Sequence, residues 1–291
     1  MSELAASVII PHYNDPTSLD ACLAAIEAQS FPREKFEIIV ADNFSPCGID
    51  TVRAVVRDRA RLVEVPEQGA GPTRNRAVEV AAGAVLAFTD SDCIPSPQWL
   101  EAGLHALEEA DIVGGKMTVL IDRSRALTAA EAFELVFAFD NRRYVEKKHF
   151  TVTANLFVRK PDFERVGGFR TGVSEDQEWC LRSRAMGLHI AYAPEAEVGH
   201  PARAAWPDFI RKWRRLVAEQ YMITREWRFG RLRWLIKSWA LPVSIVAHLP
   251  RVLASDRLSG PNERIAASSA LIRIRLWRMI ESHRVLLRGR G

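Results

Sequence analysis

The sequence lacks two features that are common in secreted proteins. Only four of its 291 residues are cysteine, at positions 22, 47, 93 and 180, and they form neither a CxxC pair nor a zinc-finger spacing with histidine. Residues 1–10 contain no basic stretch followed by an apolar run and a small-residue cleavage site. We therefore expect buried thiols rather than a disulfide framework, and a cytoplasmic protein.

Two phosphate-binding signatures are also missing. No GxGxxG follows the first strand-like segment, and no GxxxxGK[ST] occurs. Their absence argues against a dinucleotide-dependent dehydrogenase and against a P-loop kinase. No recognised nucleic-acid-binding motif accompanies the basic residues either, so we expect no nucleic-acid partner.

Short apolar runs alternate with helical patterns in the first part of the chain. Runs at residues 7–10, 36–41, 62–65 and 84–89 predict strands that are buried on both faces. After the first run, Asp15 can cap a helix, and its predicted apolar face consists of Leu19, Cys22, Leu23 and Ile26. This alternation predicts an α/β fold with a parallel, doubly wound sheet, in which ligands bind beyond the carboxyl ends of the strands.

Polar residues follow these predicted strands at the point where each one ends. They occupy residues 11–15, 42–45, 69–75 and 90–92. Because the carboxyl ends of parallel strands meet at one edge of a sheet, a single crevice can collect all four segments.

The segment Asp90-Ser91-Asp92 carries the clearest chemical signal. Residues two apart on an extended segment project to the same side, so both carboxylates could face one cation. Mg²⁺ and Mn²⁺ take oxygen ligands, commonly one or two carboxylates with substrate phosphates and water. The alternative is that these residues only turn the chain, as Asp and Ser often do.

Seven short strings occur together in one order that is known from a protein family. They are SVIIPHYND, VADNFS, GPTRNRA, LAFTDSDC, TANLFVRK, GGFR with SEDQEWCLRSRAMG, and VGHP. Over residues 7–201 the chain thus resembles the family 2 glycosyltransferases of the GT-A fold. The resemblance implies a Rossmann-like, mostly parallel twisted sheet flanked by helices, followed here by a C-terminal amphipathic helical extension.

The resemblance also implies roles for the matching residues of a nucleotide-sugar site. Asp42 would contact the nucleoside, Pro11 and Asn14 would line the same pocket, and Arg74 would help hold the nucleotide. Asp90 would contact ribose or metal, with Ser91 beside it in the donor site. Asp92 would be the principal metal ligand, and His200 would bring a further ligand to the metal or diphosphate. Turn chemistry at Asp42, a solvated charge at Arg74 and a structural histidine at His200 are the alternatives.

The segment SEDQEW supplies the candidate general base. Ser174 and Gln177 have capping-box spacing, so Glu175 and Asp176 should begin a helix whose dipole favours their ionised forms. By resemblance Asp176 is the base of a single inverting displacement, and Glu175 contacts acceptor or sugar. Trp179 could stack on a sugar face, although core packing is the commoner use of such a residue. Helix stabilisation alone is the alternative for the two acids.

Two segments before this helix are informative about shape. Residues 129–139 form a helical pattern that is rich in Phe and Leu, and residues 141–148 are polar, as expected of a mobile segment. An acceptor could be held here, but ordinary core packing and a solvated face are the simpler interpretations.

Charge divides the chain into two parts. Residues 203–291 carry 19 basic and 6 acidic residues, or +13, which leaves 21 basic and 30 acidic, or −9, for residues 1–202. We therefore predict a catalytic domain at 1–202 and a basic, Trp-rich helical extension at 203–291. Trp206, Phe209 and Trp213, with arginines between them, favour a helix on an anionic membrane surface. Packing on the catalytic domain or on a second subunit, and a membrane span at 235–254, are the alternatives.

Together these features predict a metal-dependent inverting glycosyltransferase at the inner face of the cell membrane. It would move a hexosyl-type sugar from a UDP-sugar to a hydroxyl of a lipid-linked or polysaccharide acceptor, with Mn²⁺ or Mg²⁺. The alternative is a nucleotide-sugar-binding or nucleotidyl-transferring protein of the same fold, in which the basic tail is an interaction module.

Overall fold

The computed structural model describes residues 4–288, and within them one twisted sheet has eight strands. The strand order is β3-β2-β1-β4-β7-β6-β8-β5. The strands are β1 Ala6–His12, β2 Phe36–Asp42, β3 Arg61–Glu64, β4 Val85–Phe88, β5 Ile94–Pro95, β6 Ile112–Leu120, β7 Leu156–Arg159 and β8 Ile190–Pro201.

Eleven α-helices lie within the same residues. They are α1 Pro16–Glu27, α2 Ile49–Val56, α3 Ala70–Glu79, α4 Trp99–Ala106, α5 Ala129–Phe137, α6 Asn141–Lys148, α7 Lys160–Val166, α8 Glu175–Ala185, α9 Trp206–Arg225, α10 Gly230–Leu253 and α11 Pro261–Arg288. Residues 141–148, which were expected to be a mobile polar segment, form α6, and their mobility stays a prediction.

The chain divides into two compact units. The first comprises the residues up to Thr118 together with Asp140–Thr171 and Glu175–His200. The second comprises Val119–Phe139, Gly172–Ser174 and the residues from Pro201 onward. The predicted division between 1–202 and 203–291 stays a prediction, and its outermost residues, 1–3 and 289–291, lie outside the described residues.

Strands β3, β2, β1 and β4 are parallel, as the alternating pattern predicts. Their register sets His12 at the end of β1 beside Asp42 at the end of β2. The polar residues that follow these parallel strands therefore lie at one edge of the sheet. Strand β3 is the exception to the predicted two-sided burial, because it lies at the edge of the sheet and its outer residues, Arg61 and Glu64, are exposed.

The helix predicted after the first strand is confirmed. Pro16 begins α1, and the Asp15 side chain caps it by accepting a hydrogen bond from the Ser18 backbone N–H at 3.1 Å. The buried residues of α1 are Leu19, Cys22, Leu23 and Ile26, the predicted face. Only three residues separate the end of β1 from the start of this capped helix, which fixes the loop between them.

The other strands extend the sheet with antiparallel pairs. Strand β7 is antiparallel to both β4 and β6, and β5 is antiparallel to β8. The amide of Asn155, just before β7, connects this region: its oxygen accepts from the Trp99 indole at 2.9 Å, and its nitrogen donates to the carbonyls of Lys116 and Ala196. These bonds satisfy backbone carbonyls that the change of strand direction leaves open.

An aromatic cluster forms part of the core of the first unit. Phe88 at the end of β4 lies 5.7 Å from Phe163 and 5.5 Å from Phe169, measured between ring centroids. Trp179 of α8 stacks on Phe163 at 5.4 Å. Burial of four aromatic rings contributes strongly to stability and attaches α7 and α8 to the sheet.

Helices α5, α9 and α11 share the core of the second unit. Phe133 of α5 lies 5.4 Å from Phe209, and Trp206 and Trp213 pack against the same cluster with Ile274. The aromatic face of α9 that was predicted to lie on a membrane is therefore core, and that prediction is wrong. The Phe-rich helix at 129–137 is likewise core, as the simpler interpretation has it.

A buried carboxylate joins two helices of this unit. Glu134 of α5 accepts a hydrogen bond from Lys212 of α9 at 2.7 Å and another from the Arg203 backbone N–H. Burial opposes ionisation of Glu134, but Lys212 and Arg203 overcome it and lower the pKa of Glu134. The ion pair between Glu134 and Lys212 is a structural contact, because each buried charge is compensated by the other.

No helix within residues 4–288 is both long enough and apolar enough to cross a bilayer. The span considered at 235–254 is therefore not supported.

A glycine in α4 gives a test of the close packing between that helix and β7. A side-chain Cβ at Gly103 would overlap the ring of Phe157, which is fully buried and lies 5.0 Å from Trp99. We expect Gly103→Ala to lower the free energy of unfolding by about 1–3 kcal/mol, although alanine favours helix by about 0.5–1 kcal/mol. Urea denaturation followed by circular dichroism measures this.

The matched control is Gly260→Ala, because a Cβ there meets no atom within 4 Å. We expect it to change the free energy of unfolding by less than about 1 kcal/mol. Equal stability of the two variants would contradict the tight packing of α4 on β7.

Candidate nucleotide-sugar site

The carboxyl ends of β1 and β2 are joined by a buried hydrogen-bond network. The His12 Nδ1 lies 2.7 Å from a carboxylate oxygen of Asp42, and the Ser45 hydroxyl donates to the same oxygen. The second oxygen of Asp42 accepts from the Ser45 backbone N–H at 3.0 Å. His12 Nε2 accepts from the Asp15 backbone N–H at 3.2 Å, so the proton of a neutral His12 belongs on Nδ1.

This network gives Asp42 a structural role beside its predicted one. Its side chain is only 2% exposed, and both oxygens accept hydrogen bonds. The carboxylate holds the loops after β1 and β2 in place, and its contact with a nucleoside stays a prediction. His12 and Ser45, to which the sequence analysis gave no role, are its partners.

The predicted pocket residues Pro11 and Asn14 lie at this same edge. Pro11 is half-buried within β1, whereas Asn14 is exposed in the following loop with a φ of 53°. The Asn14 backbone N–H donates to Ser45 at 2.8 Å, and its side-chain oxygen accepts from the Cys47 backbone N–H at 3.2 Å. Asparagine tolerates this left-handed conformation better than most residues, which suits a tight loop beside a ligand.

Arg74 of α3 is buried at 3% exposure and binds two carboxylates. One terminal nitrogen donates to Asp90, which follows β4, and the other donates to Glu175 at the start of α8. Burial alone would lower the pKa of Arg74, but Glu175 and Asp90 raise it, with a further contribution from Asp176. The alternative of a solvated helix charge is therefore wrong, and Arg74 and the three carboxylates share one electrostatic environment.

The segment Asp90-Ser91-Asp92 is a turn rather than an extended segment. The Cys93 backbone N–H donates to the Asp90 carbonyl at 3.0 Å, which closes a β-turn, and Ser91 is half-buried in it. The argument that both carboxylates project to one side of an extended chain is wrong for this reason. Asp90 pairs with Arg74, and Asp92 lies beside His200 with 3.3 Å between Nε2 and a carboxylate oxygen.

Strand pairing explains why His200 reaches this turn. Ile94 of β5 pairs with Gly199 of β8 in antiparallel register, so Cys93 and His200 face each other one residue further along. Among residues 4–288, ligand atoms of Asp92, Cys93 and His200 lie within 4.8 Å of one another, as a metal site requires. Asp90 is not a member of this group. Its assignment as a metal ligand stays a prediction.

The donor set of this group fits a divalent cation that accepts oxygen and imidazole nitrogen, such as Mn²⁺. Cys93 is a poor third ligand, because burial and the nearby Asp90 and Asp92 raise the pKa of its thiol well above the ordinary value. A protonated thiol does not ligate a hard cation. Asp92 and His200 would therefore leave further coordination positions to phosphate oxygens and water.

Glu175 and Asp176 begin α8, as predicted from the sequence. Both are half-buried, and Asp176 accepts a hydrogen bond from the Gln177 backbone N–H at 2.7 Å. A Cβ added to Gly71 would lie 3.0 Å from a Glu175 carboxylate oxygen, so glycine permits the close approach of α3 to this helix. The helix dipole favours ionised carboxylates at this position.

Trp179 does not face the site, and the prediction of a sugar contact is corrected. Its ring is fully buried among Phe163 and Phe169, and its indole nitrogen donates to the Gly167 carbonyl at 2.9 Å. Core packing, the commoner use of such a residue, accounts for it.

Two asparagines of the site received no role in the sequence analysis. Asn43 binds the carbonyls of Val65 and Glu67 and accepts from the Gly69 backbone N–H at 2.9 Å, which fixes the approach to α3. Asn75 donates to the Phe169 carbonyl at 2.9 Å and accepts from its N–H at 2.8 Å. Both asparagines lie within the quoted strings VADNFS and GPTRNRA, which could have pointed to them. Their hydrogen-bond partners are 22–94 residues away in the sequence, so the sequence alone does not reveal those contacts.

Comparisons with known proteins identify the family. The family model for glycosyl transferase family 2 matches residues 7–167. The chain is 32% identical over 262 residues to the glycosyltransferase AglE of Haloferax volcanii, a match that covers 86% of this chain and 84% of AglE.

Solved structures show the same fold. The mannosyltransferase PcManGT from Pyrobaculum calidifontis, in complex with GDP-Man and Mn²⁺, superimposes with a TM-score of 0.64 at 20% identity, over 100% of this chain and 89% of that one. S. aureus TarS in complex with UDP-GlcNAc gives a TM-score of 0.55 at 19% identity, over 99% of this chain and 92% of that one. The expected GT-A fold class is confirmed.

The ion pairs of Arg74 can be tested by removing the guanidinium. Arg74→Met leaves Asp90 and Glu175 without their shared cation, so we expect the free energy of unfolding to fall by about 2–4 kcal/mol. Adding Glu175→Gln should restore part of the loss, since one uncompensated carboxylate is removed with it. Denaturant unfolding of both single variants and the double variant measures the coupling.

Arg76→Met is the matched control on the same helix. Arg76 is about half exposed, and within the described part of the chain its one ion pair is with Glu79 three residues away, so its removal should cost about 0.5 kcal/mol or less. If Arg74→Met and Arg76→Met had the same effect, Arg74 would not be a structural centre of the site.

Proposed function

The chain belongs to glycosyl transferase family 2, and from this premise we propose that it transfers a sugar from a UDP-sugar to an acceptor hydroxyl with inversion at the anomeric carbon. The single observation that carries the proposal is the convergence of Asp92, His200, Arg74 and Asp176 at one edge of the sheet. The family assignment favours glycosyl transfer over the nucleotidyl-transfer alternative.

The donor would lie against the loops that follow β1, β2 and β4. Pro11 and Asn14 line the proposed nucleoside pocket, which Asp42 supports by holding His12 and Ser45. Arg74 holds Asp90 in position, and Asp90 with Ser91 would contact the donor beside the ribose. Solved relatives of the fold carry GDP-Man and UDP-GlcNAc, so both bases belong in a donor screen.

Asp92 and His200 would hold the divalent cation, Mn²⁺ or Mg²⁺. A carboxylate and an imidazole together favour Mn²⁺ over Mg²⁺, because imidazole suits transition metals better. When bound, the cation neutralises charge that develops on the departing diphosphate. Burial raises the pKa of the Cys93 thiol beside them, so Asp92 and His200 are the proposed ligands.

Asp176 is the proposed general base. Its carboxylate would take the proton of the acceptor hydroxyl while that oxygen bonds to the anomeric carbon. The bond between the anomeric carbon and the diphosphate oxygen breaks in the same step, and its electron pair leaves with the nucleoside diphosphate. Glu175 directly precedes Asp176 and is held by Arg74. It would fix the position of Asp176 and contact the sugar or acceptor.

The proposed acceptor is a growing glycan or a lipid-linked sugar, and the proposed location is the inner face of the cell membrane. The basic composition of residues 203–291 supports attachment to an anionic surface. Residues 203–291 are also the proposed contact surface of a homo-oligomer, which light scattering would detect.

Replacing Asp92 tests the metal assignment. We expect Asp92→Asn to abolish Mn²⁺-dependent binding of UDP and UDP-sugars, because it removes the charged member of the proposed ligand pair. Calorimetric titration of UDP with and without Mn²⁺, and electron paramagnetic resonance of the bound Mn²⁺, provide readouts that do not depend on turnover.

Asp50→Asn is the control, since that carboxylate is 92% exposed and, among residues 4–288, forms an ion pair with Arg53 alone. It should leave both signals unchanged. Retention of Mn²⁺-dependent UDP binding by Asp92→Asn would rule out Asp92 as the principal ligand.

Replacing Asp176 tests the base assignment. We expect Asp176→Asn to bind Mn²⁺ and UDP-sugar normally but to transfer the sugar about 10²–10⁴ times more slowly, since proton abstraction is lost. The assay would measure sugar transfer from a panel of UDP- and GDP-sugars to polyprenyl-linked sugars.

The exposed Glu164→Gln on α7 serves as a carboxylate control and should keep the normal rate. A normal transfer rate for Asp176→Asn would show that another group accepts the proton.

A further inference from the structure

Helix α10 presents a row of apolar side chains to solvent along almost its whole length. They recur at spacings of four, three, four, three and seven residues, and at 3.6 residues per turn they fall within about a third of the helix circumference. Their exposed fractions run from 55% at Leu253 to 77% at Val246. We name this row the α10 stripe: Leu232, Ile236, Trp239, Val243, Val246 and Leu253.

The opposite face of α10 holds the helix to the second unit. Trp234, Ser238 and Val252 are buried, and the Trp234 indole donates to the Ser282 carbonyl of α11 at 3.0 Å. Because that face is fixed, the stripe is held outward as a continuous line. Soluble proteins rarely leave such a contiguous apolar row uncovered without an interaction partner.

The charges beside the stripe identify the partner. Helix α10 contains four basic residues, Arg231, Arg233, Lys237 and Arg251, and no acidic residue. Lys237 and Arg233 lie over the ring of Trp227 at 5.1 and 6.0 Å, and neither has a carboxylate partner within residues 4–288. The turn that precedes α10 adds two exposed aromatic side chains, Trp227 and Phe229.

This charge pattern disfavours a second copy of α10 as the occupant. Paired helices with a heptad-like apolar row use opposite charges beside the row, and α10 has only positive ones. An anionic bilayer complements both features, because acyl chains accept the apolar row and headgroups accept the basic side chains.

We propose that the α10 stripe, with Trp227 and Phe229 at its beginning, is the surface by which this protein lies on an anionic membrane. The inference rests on the membrane attachment proposed above, and it assigns that attachment to α10 rather than to the aromatic residues of α9, which are core. The helix would lie in the plane of the interface, with its buried face still packed on the second unit.

The test is flotation of the full chain with vesicles of phosphatidylcholine alone and of phosphatidylcholine mixed with phosphatidylglycerol. We expect the protein to float with the anionic vesicles, and Val243→Ser/Val246→Ser to reduce the floated fraction about tenfold by weakening apolar insertion. Arg233→Gln/Lys237→Gln should remove most of the preference for anionic over neutral vesicles. Met186→Ser, an exposed apolar residue of the first unit, should float normally.

Two results would overturn the proposal. One is equal flotation of the protein and its Val243→Ser/Val246→Ser variant. The other is a dimer by light scattering without vesicles that this variant converts to a monomer, since the stripe would then belong to a second copy. Circular dichroism confirms that each variant is folded.

Mn²⁺-dependent UDP binding on the same samples separates this proposal from the proposed function. Loss of flotation with normal UDP binding supports the α10 stripe. Failure of every sample to bind UDP would contradict the donor assignment and leave the flotation result standing.

Discussion

The arrangement of the site depends on the buried guanidinium of Arg74. It holds Asp90 and Glu175, whose segments lie far apart in the sequence; Glu175 is 101 positions after Arg74. Asp90 is two residues before Asp92, and Glu175 is one residue before Asp176. A single planar cation with donors on both sides thereby sets the spacing between the proposed metal ligand and the proposed base.

The sequence predicted which strand ends carry polar residues, because that rule depends only on local apolar runs and on the geometry of parallel strands. It could not predict the partners of those residues. The pairing of Arg74 with Glu175 and the clamp of Asn75 on Phe169 depend on how distant segments pack. At residues 90–92 the sequence left a turn and an extended segment open for a related reason, since Asp and Ser are compatible with both a strand end and a turn.

In the second unit, an amphipathic sequence pattern does not predict which apolar faces are buried. Helices α9 and α10 both combine Trp and aliphatic residues with Arg and Lys, and periodicity identifies an apolar face without saying what covers it. In α9 the face with Phe209 and Trp213 meets α5, whereas α10 buries Trp234 and leaves Val243 and Val246 exposed. Only the packing partners distinguish a core face from an outward one.

The buried position of Asp42 bears on how a nucleotide base would be recognised. Its two oxygens bond to His12 and Ser45, and its charge therefore stabilises the loops after β1 and β2. The groups left exposed at that edge include the side chains of Asn14 and Tyr13. The shape that the Asp42 network gives to the loop after β1 is therefore part of any account of base selectivity at this edge of the sheet.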